Sequence, residues 1–259
     1  MAPVAIAAAY FGGWVFALFW AIAALAILWE WTALVSGPNN RTAFLVGAVA
    51  LAVATLILQR GRPAAAILIV VCGAVAAAIF VQSDKRLWTG GGVVYAGAML
   101  MAPVVLRADS DFGFLAMVFL FLIVWATDVF GYFAGRMIGG PKLAPAISPK
   151  KTWSGAIAGT LGAATVGVVV AIQAGLGGVA GLGGIVLVVL VLSIVSQGGD
   201  LLESAIKRRF DAKDAGHLIP GHGGVMDRLD GFWAAAVAAA LIGYARGGLE
   251  ASGRGLMVW

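Results

Sequence analysis

Carboxylates, bases and glycines gather in two places in a chain that otherwise carries little charge. The denser is SQGGDLLESAIKRRFDAKDAGHLIPGHGGVMDRLDG, residues 196–231. From Asp200 it reads as a helix, with Leu201, Leu202, Ala205 and Ile206 on one side and Asp200, Glu203 and Lys207 on the other. Pro220 and the glycines around it force DAGHLIPGHGG into a loop. Asp227 and Asp230 follow at i and i+3, on one face of the next helix. Such a cluster is either a salt-bridged rim or a divalent cation site, with Lys and Arg beside it for a phosphorylated ligand. Magnesium takes hard oxygens, usually one or two carboxylates plus substrate phosphates. The glycines of PGHGG let backbone approach a ligand closely, which a rim does not require, and so favour the metal reading. His217 and His222 are the only histidines; with no cysteine nearby they cannot complete a zinc site and are read as loop or phosphate contacts.

The second place is TDVFGYFAGRMIGGPKLAPAISPKKTWSG, residues 127–155. Asp128 lies inside an apolar run, where an ionisable group is costly and therefore a functional candidate. The plainer alternative pairs it with Arg136. Beyond come Lys142, Lys150 and Lys151 in a loop stiffened by Pro141, Pro145 and Pro149. Lys150, Lys151, Thr152 and Ser148 offer ammonium and hydroxyl donors suited to a polyphosphate. An ordinary basic loop explains the lysines but not the order ISPKKT.

These side chains must be positioned by membrane helices. Of 259 residues 62% are hydrophobic and 11% charged, against roughly a quarter charged in a soluble domain. Apolar runs fall near 3–33, 42–59, 64–82, 91–106, 113–133, 155–174, 179–197 and 232–245. In lipid such runs must be helical. The first is long enough for one tilted span or two short ones, and 91–106 is short for a span. The expected fold is all-α, a single polytopic integral membrane domain over 1–259 with eight or nine transmembrane helices.

Gly155 and Gly159 place small residues four apart, as close helix packing in lipid requires. The loop at 136–153 and the segment at 199–231 are separated by two spans and so share a side. Basic residues favour the cytoplasmic face, although Arg60 and Arg62 fall opposite in this count. The net charge of +5 is read as loops or a phosphate site, and no nucleic-acid partner is expected. The single cysteine, Cys72, excludes an internal disulfide. The first basic residue is Arg41, so no cleaved signal peptide is expected. Gly175-Leu-Gly177-Gly-Val-Ala180 mimics a dinucleotide fingerprint but lacks the strand and acidic residue that give it meaning.

SAIKRRFDAKDAGHLIPGHGGVMDRLDG closely resembles the signature of phosphatidate cytidylyltransferases (CDP-diacylglycerol synthases). Ser204, Lys207, Arg208, Lys213, Asp214, Pro220, His222, Gly223, Gly224, Asp227, Arg228 and Asp230 all match its pattern. DVFGYFAGRMIGGPKLAPAISPKKTWSG and FGGWVFALFWAIAALAILWEW are similar to the family's upstream segments. One position departs: family members commonly carry an acid where this chain has Ser154.

The resemblance implies a membrane enzyme that joins CTP and phosphatidic acid into CDP-diacylglycerol, with magnesium and a second cation. It implies Asp200, Asp227 and Asp230 as metal ligands. Lys150, Lys151, Lys207 and Arg228 would contact the triphosphate or lipid phosphate, with Ser148, Thr152, His222, Gly223 and Gly224 beside the nucleotide. Asp128 would contribute from its helix. It further suggests a homodimer, and the composition points to a bacterial plasma membrane with the site facing the cytoplasm. The nearest rival reading is a CTP-dependent enzyme of isoprenoid or ether lipids, including a polyprenol kinase. A CDP-alcohol phosphotransferase lacks its Asp-Gly-x-x-Ala-Arg arrangement here. A cation transporter fits poorly with acids gathered at one edge.

Overall fold

Glycine decides where the first apolar run breaks. Gly12 and Gly13 take φ of 62° and 49°, a left-handed conformation that costs glycine little. The run is thereby divided into α1 (Ala2–Phe11) and α2 (Gly13–Ser36). The computed structural model of the chain describes residues 2–37, 40–176, 178–219, 221 and 223–259. The helices that follow are α3 (Arg41–Leu58), α4 (Pro63–Ile79), α5 (Arg86–Arg107), α6 (Gly113–Met137), α7 (Trp153–Gln173), α8 (Val179–Arg209), α9 (Met226–Gly247) and α10 (Ser252–Met257).

Six of these, α2, α3, α5, α6, α7 and α8, are long and apolar enough to cross a membrane, and α4 is a shorter apolar helix. The protein is an all-α polytopic membrane protein. The run at 91–106, too short alone, belongs to a helix of 22 residues because its polar first turn, from Arg86, extends it. The helix expected to start at Asp200 is instead the continuation of a span, since α8 runs unbroken through Gly198 and Gly199 to Arg209. Its polar side also turns inward. Glu203 is 0% exposed whereas Leu202 is 48% exposed, as suits a helix whose apolar side meets lipid.

Two compact units form, each from two stretches of chain: Met1–Val105 with Lys207–Leu229, and Leu106–Ile206 with Asp230–Trp259. In the first, Phe16, Trp20, Ile27, Leu28, Leu51, Met99 and Leu100 are fully buried. Trp31 donates from Nε1 to the Trp88 carbonyl at 2.8 Å. A Cβ on Gly92 would fall 2.2 Å from the Trp31 ring, so only glycine fits beneath it. Trp88 in turn meets Phe210 edge to face, with centroids 5.2 Å apart.

In the second unit α6 and α7 touch through backbone. A Cβ on Gly155 would lie 2.7 Å from the Gly131 carbonyl oxygen, and one on Gly159 2.6 Å from that of Thr127. The small-residue reading of Gly155 and Gly159 is borne out. Hydroxyls extend the contact to α8: Thr127 Oγ1 donates to Ser193 Oγ (2.9 Å) and Ser193 Oγ to Thr160 Oγ1 (3.1 Å). Gln197 Nε2 also reaches Thr160 Oγ1, at 3.0 Å.

Between α6 and α7 the chain is not the loop its prolines suggest. Strands β1 (Lys142–Ala144) and β2 (Ser148–Thr152) pair antiparallel, Lys142 opposite Thr152 and Ala144 opposite Ser148. Both strands of a two-stranded hairpin are edges, so Pro149 fits within β2.

Candidate active site

A cavity of about 500 Å³ is walled by Asp128, Tyr132, Arg136, Lys142, Lys150 and Lys151, among others. That volume suits a small-molecule ligand. Four cations against one carboxylate make it a place for an anion. Arg136 donates to the Tyr132 hydroxyl at 2.9 Å, and the alternative pairing with Asp128 does not form. Lys150 is exposed, while Lys151 Nζ lies 2.5 Å from Asp200 Oδ2.

Asp200 is next to two other acids. Gly199 and Gly231 bring α8 and α9 together: a Cβ on Gly199 would meet the Asp230 carbonyl at 2.8 Å, and one on Gly231 the Ser196 hydroxyl at the same distance. Asp128 and Asp230 both feel the charges of Asp200 and Lys151, and Asp230 also feels Asp128. Three carboxylates and one lysine thus share a small region. Among the described residues no group of three or more His, Cys, Asp or Glu side chains is placed to hold a metal by itself.

Ser148 and Thr152 take local roles. Ser148 pairs with Ala144 in the hairpin. Thr152, expected to present its hydroxyl to a phosphate, is buried and accepts the Gly155 N–H at 3.2 Å, capping α7. Ser154 lies 3.0 Å from that hydroxyl and donates to the Gly139 carbonyl, where the chain leaves α6 with φ of 66°. At the position where an acid is common, a donor ties the two ends of the hairpin. Ser154→Ala is expected to lower stability by about 1 kcal/mol, a shift of roughly 2–4 °C in thermal unfolding followed by size-exclusion chromatography.

In the other unit Asp227 stands in the first turn of α9. Its Oδ1 is 2.6 Å from Lys207 Nζ, and both side chains are largely buried, at 9% and 13% exposure. The backbone N–H groups of Ala215 and Gly224 donate to its Oδ2, each at 3.0 Å. The positive φ of Gly223, 84°, turns the chain, and the Ile219 N–H donates to its carbonyl. Arg228 is exposed. Pro220 and His222 lie outside the described residues.

One acid escaped the sequence reading. Glu30 of α2 is 1% exposed and accepts the backbone N–H groups of Val225 (2.9 Å) and Met226 (2.8 Å). The criterion that singled out Asp128, an acid inside an apolar run, applies equally to it.

Membrane helices, a cavity lined by four cationic side chains and acid–lysine pairs are the features of a polytopic membrane protein suited to phosphorylated ligands. The model of the cytidylyltransferase family matches residues 1–245, and the chain belongs to that family. It is 44% identical over 235 residues to the phosphatidate cytidylyltransferases of Brucella melitensis and Brucella abortus, covering 90% of this chain and 85% of each relative. A phosphatidate cytidylyltransferase of Rickettsia typhi is 42% identical over 120 residues, 45% of this chain and 53% of that protein.

Proposed function

We propose that the chain transfers CMP from CTP to phosphatidic acid, giving CDP-diacylglycerol and pyrophosphate for phospholipid synthesis. A phosphate oxygen of the lipid attacks the α-phosphorus of CTP, the bond to the bridging oxygen of the β-phosphate breaks, and pyrophosphate departs with that oxygen. Both partners are anionic, so the protein's task is to neutralise charge and align the reacting groups. The observation that carries this reading is the cationic cavity whose Lys151 is shared with Asp200. Lys142, Lys150 and Arg136 line that cavity and are suited to hold triphosphate oxygens. Asp200 fixes the Lys151 ammonium where it can meet a phosphate.

Asp128, Asp200 and Asp230 set three carboxyl groups beside Lys151, which fits a divalent cation completed by substrate phosphates. We assign Asp200 and Asp230 to hold magnesium, which when bound supplies Lewis-acid neutralisation of phosphate oxygens. Asp227 is held by Lys207 and would hold a second cation only after releasing it. We place the protein in a bacterial inner membrane with this site facing the cytoplasm, from the shared side of the two basic segments, and take from the resemblance that it is a homodimer.

The test uses purified protein in detergent with CTP, phosphatidic acid and magnesium. CDP-diacylglycerol and pyrophosphate should form, magnesium should be required, and Asp227→Asn should lower the rate at least about 100-fold. Release of CDP with a phosphorylated polyprenol, and no CDP-lipid, would replace this reading with the kinase.

A further inference from the structure

Glu30 is an ionisable group placed where one is expensive. The rest of α2, GWVFALFWAIAALAILWEWTALVS, is almost wholly apolar, and the Glu30 side chain is closed off from solvent. What holds it lies 195 and 196 residues away: the N–H groups of Val225 and Met226, where α9 begins. Those are among the amides a helix leaves unbonded at its start, and a carboxylate satisfies two of them while meeting the positive end of the helix dipole.

The same loop is shaped around this carboxylate. A Cβ on Gly216 would fall 2.7 Å from Glu30 Cγ, and one on Gly224 2.8 Å from both Glu30 carboxylate oxygens. The Gly224 Cβ would also lie 2.9 Å from Asp227 Oδ2. Gly224, one of the glycines that read as room for a ligand, is thus room for two of the protein's own acids. Among the described residues, donors along the loop divide between those acids without overlap. Ala215 and Gly224 serve Asp227, and Val225 and Met226 serve Glu30. Asp227 then takes Lys207.

We propose that Glu30 is a positioning residue: by holding the Val225 and Met226 amides it fixes the start of α9 and so aims the Asp227 carboxylate and the Lys207 ammonium bound to it. Glu30 touches no substrate. Its influence on catalysis, which rests on the cytidylyl-transfer reading, passes through the loop.

Glu30→Gln keeps the length of the side chain but replaces one acceptor oxygen with an NH₂ that faces an N–H donor. Wild type, Glu30→Gln and Glu30→Ala should be compared by amide hydrogen exchange, by thermal unfolding, and by kcat and KM for CTP and phosphatidic acid. In Glu30→Gln, exchange over 223–227 should quicken at least about tenfold while the other helices keep their protection. Its kcat should fall about ten- to a hundredfold with both KM values within twofold, and Glu30→Ala should fall further.

Unchanged exchange over 223–227 with kcat within twofold overturns the proposal. So does a loss of protection throughout the chain with unfolding tens of degrees lower, since that marks a residue needed only for folding. Should wild type form no CDP-lipid, the assigned reaction fails; the exchange comparison still decides whether Glu30 holds the loop.

Discussion

Asp200→Asn lowers kcat for CDP-lipid formation by about a thousandfold or more, roughly 4 kcal/mol of transition-state stabilisation. The expectation follows from where the carboxylate stands. Asp200 Oδ2 holds the Lys151 ammonium at 2.5 Å, and the same group interacts with Asp128 and Asp230. Asparagine keeps the shape but removes the charge that fixes Lys151 at the cavity wall. It also removes one of the three carboxyl groups available to a divalent cation.

The Asp200 and Lys151 side chains are about a third exposed, so the pair adds little to stability, and unfolding should move by no more than a few degrees. Lys151→Met should be comparably slow. Because the two side chains act as one unit, the double variant should be no slower than the worse single one. Independent, multiplying losses would show that the ion pair is not the working unit. Steady-state rates of CDP-lipid formation on folded protein decide the matter.

Gly159→Leu has the second large effect, and it falls on folding. A Cβ at Gly159 would sit 2.6 Å from the Thr127 carbonyl oxygen, which belongs to a helix backbone and cannot swing aside. α6 and α7 must therefore move apart, losing the contact of Gly155 with Gly131 as well. Overpacking of this kind costs about 3 kcal/mol, or roughly 6–12 °C in a chain of this size. Gly183→Ala is the control, because a Cβ there meets nothing within 4 Å. Thermal unfolding monitored by size-exclusion chromatography in detergent should separate the two. Equal stability of Gly159→Leu and wild type would remove backbone contact as the basis of α6–α7 packing.

The sequence made some of this legible and hid the rest for physical reasons. Gly155 and Gly159 announced a helix contact because small residues four apart lie on one helix face. Asp200, Asp227 and Asp230 stood out because acids are rare in so apolar a chain, and the structure sets the first two against lysines and the third beside Asp200. The hairpin at 142–152 stayed hidden: strands of three and five residues are too short to show a period, and Pro149 argues against one. The start of a helix at Asp200 was misread because polarity changes there while the backbone does not. Glu30 was missed because what it does depends on amides almost two hundred residues away, and backbone donors leave no mark in the side-chain pattern.

A helix inserted in lipid is free to spin about its own axis until something stops it. For α7 and α8, joined by a short glycine-rich turn, the stop is the run of hydroxyls from Thr127 through Ser193 to Thr160, with the Gln197 amide at its end. Turning either helix by one residue, about 100°, would swing these groups toward hydrocarbon together. Each bond is worth only about 0.6 kcal/mol, yet all are lost at once. The ladder therefore acts as a key for rotation. It selects the one setting of α7 that turns Gly155 and Gly159 to α6.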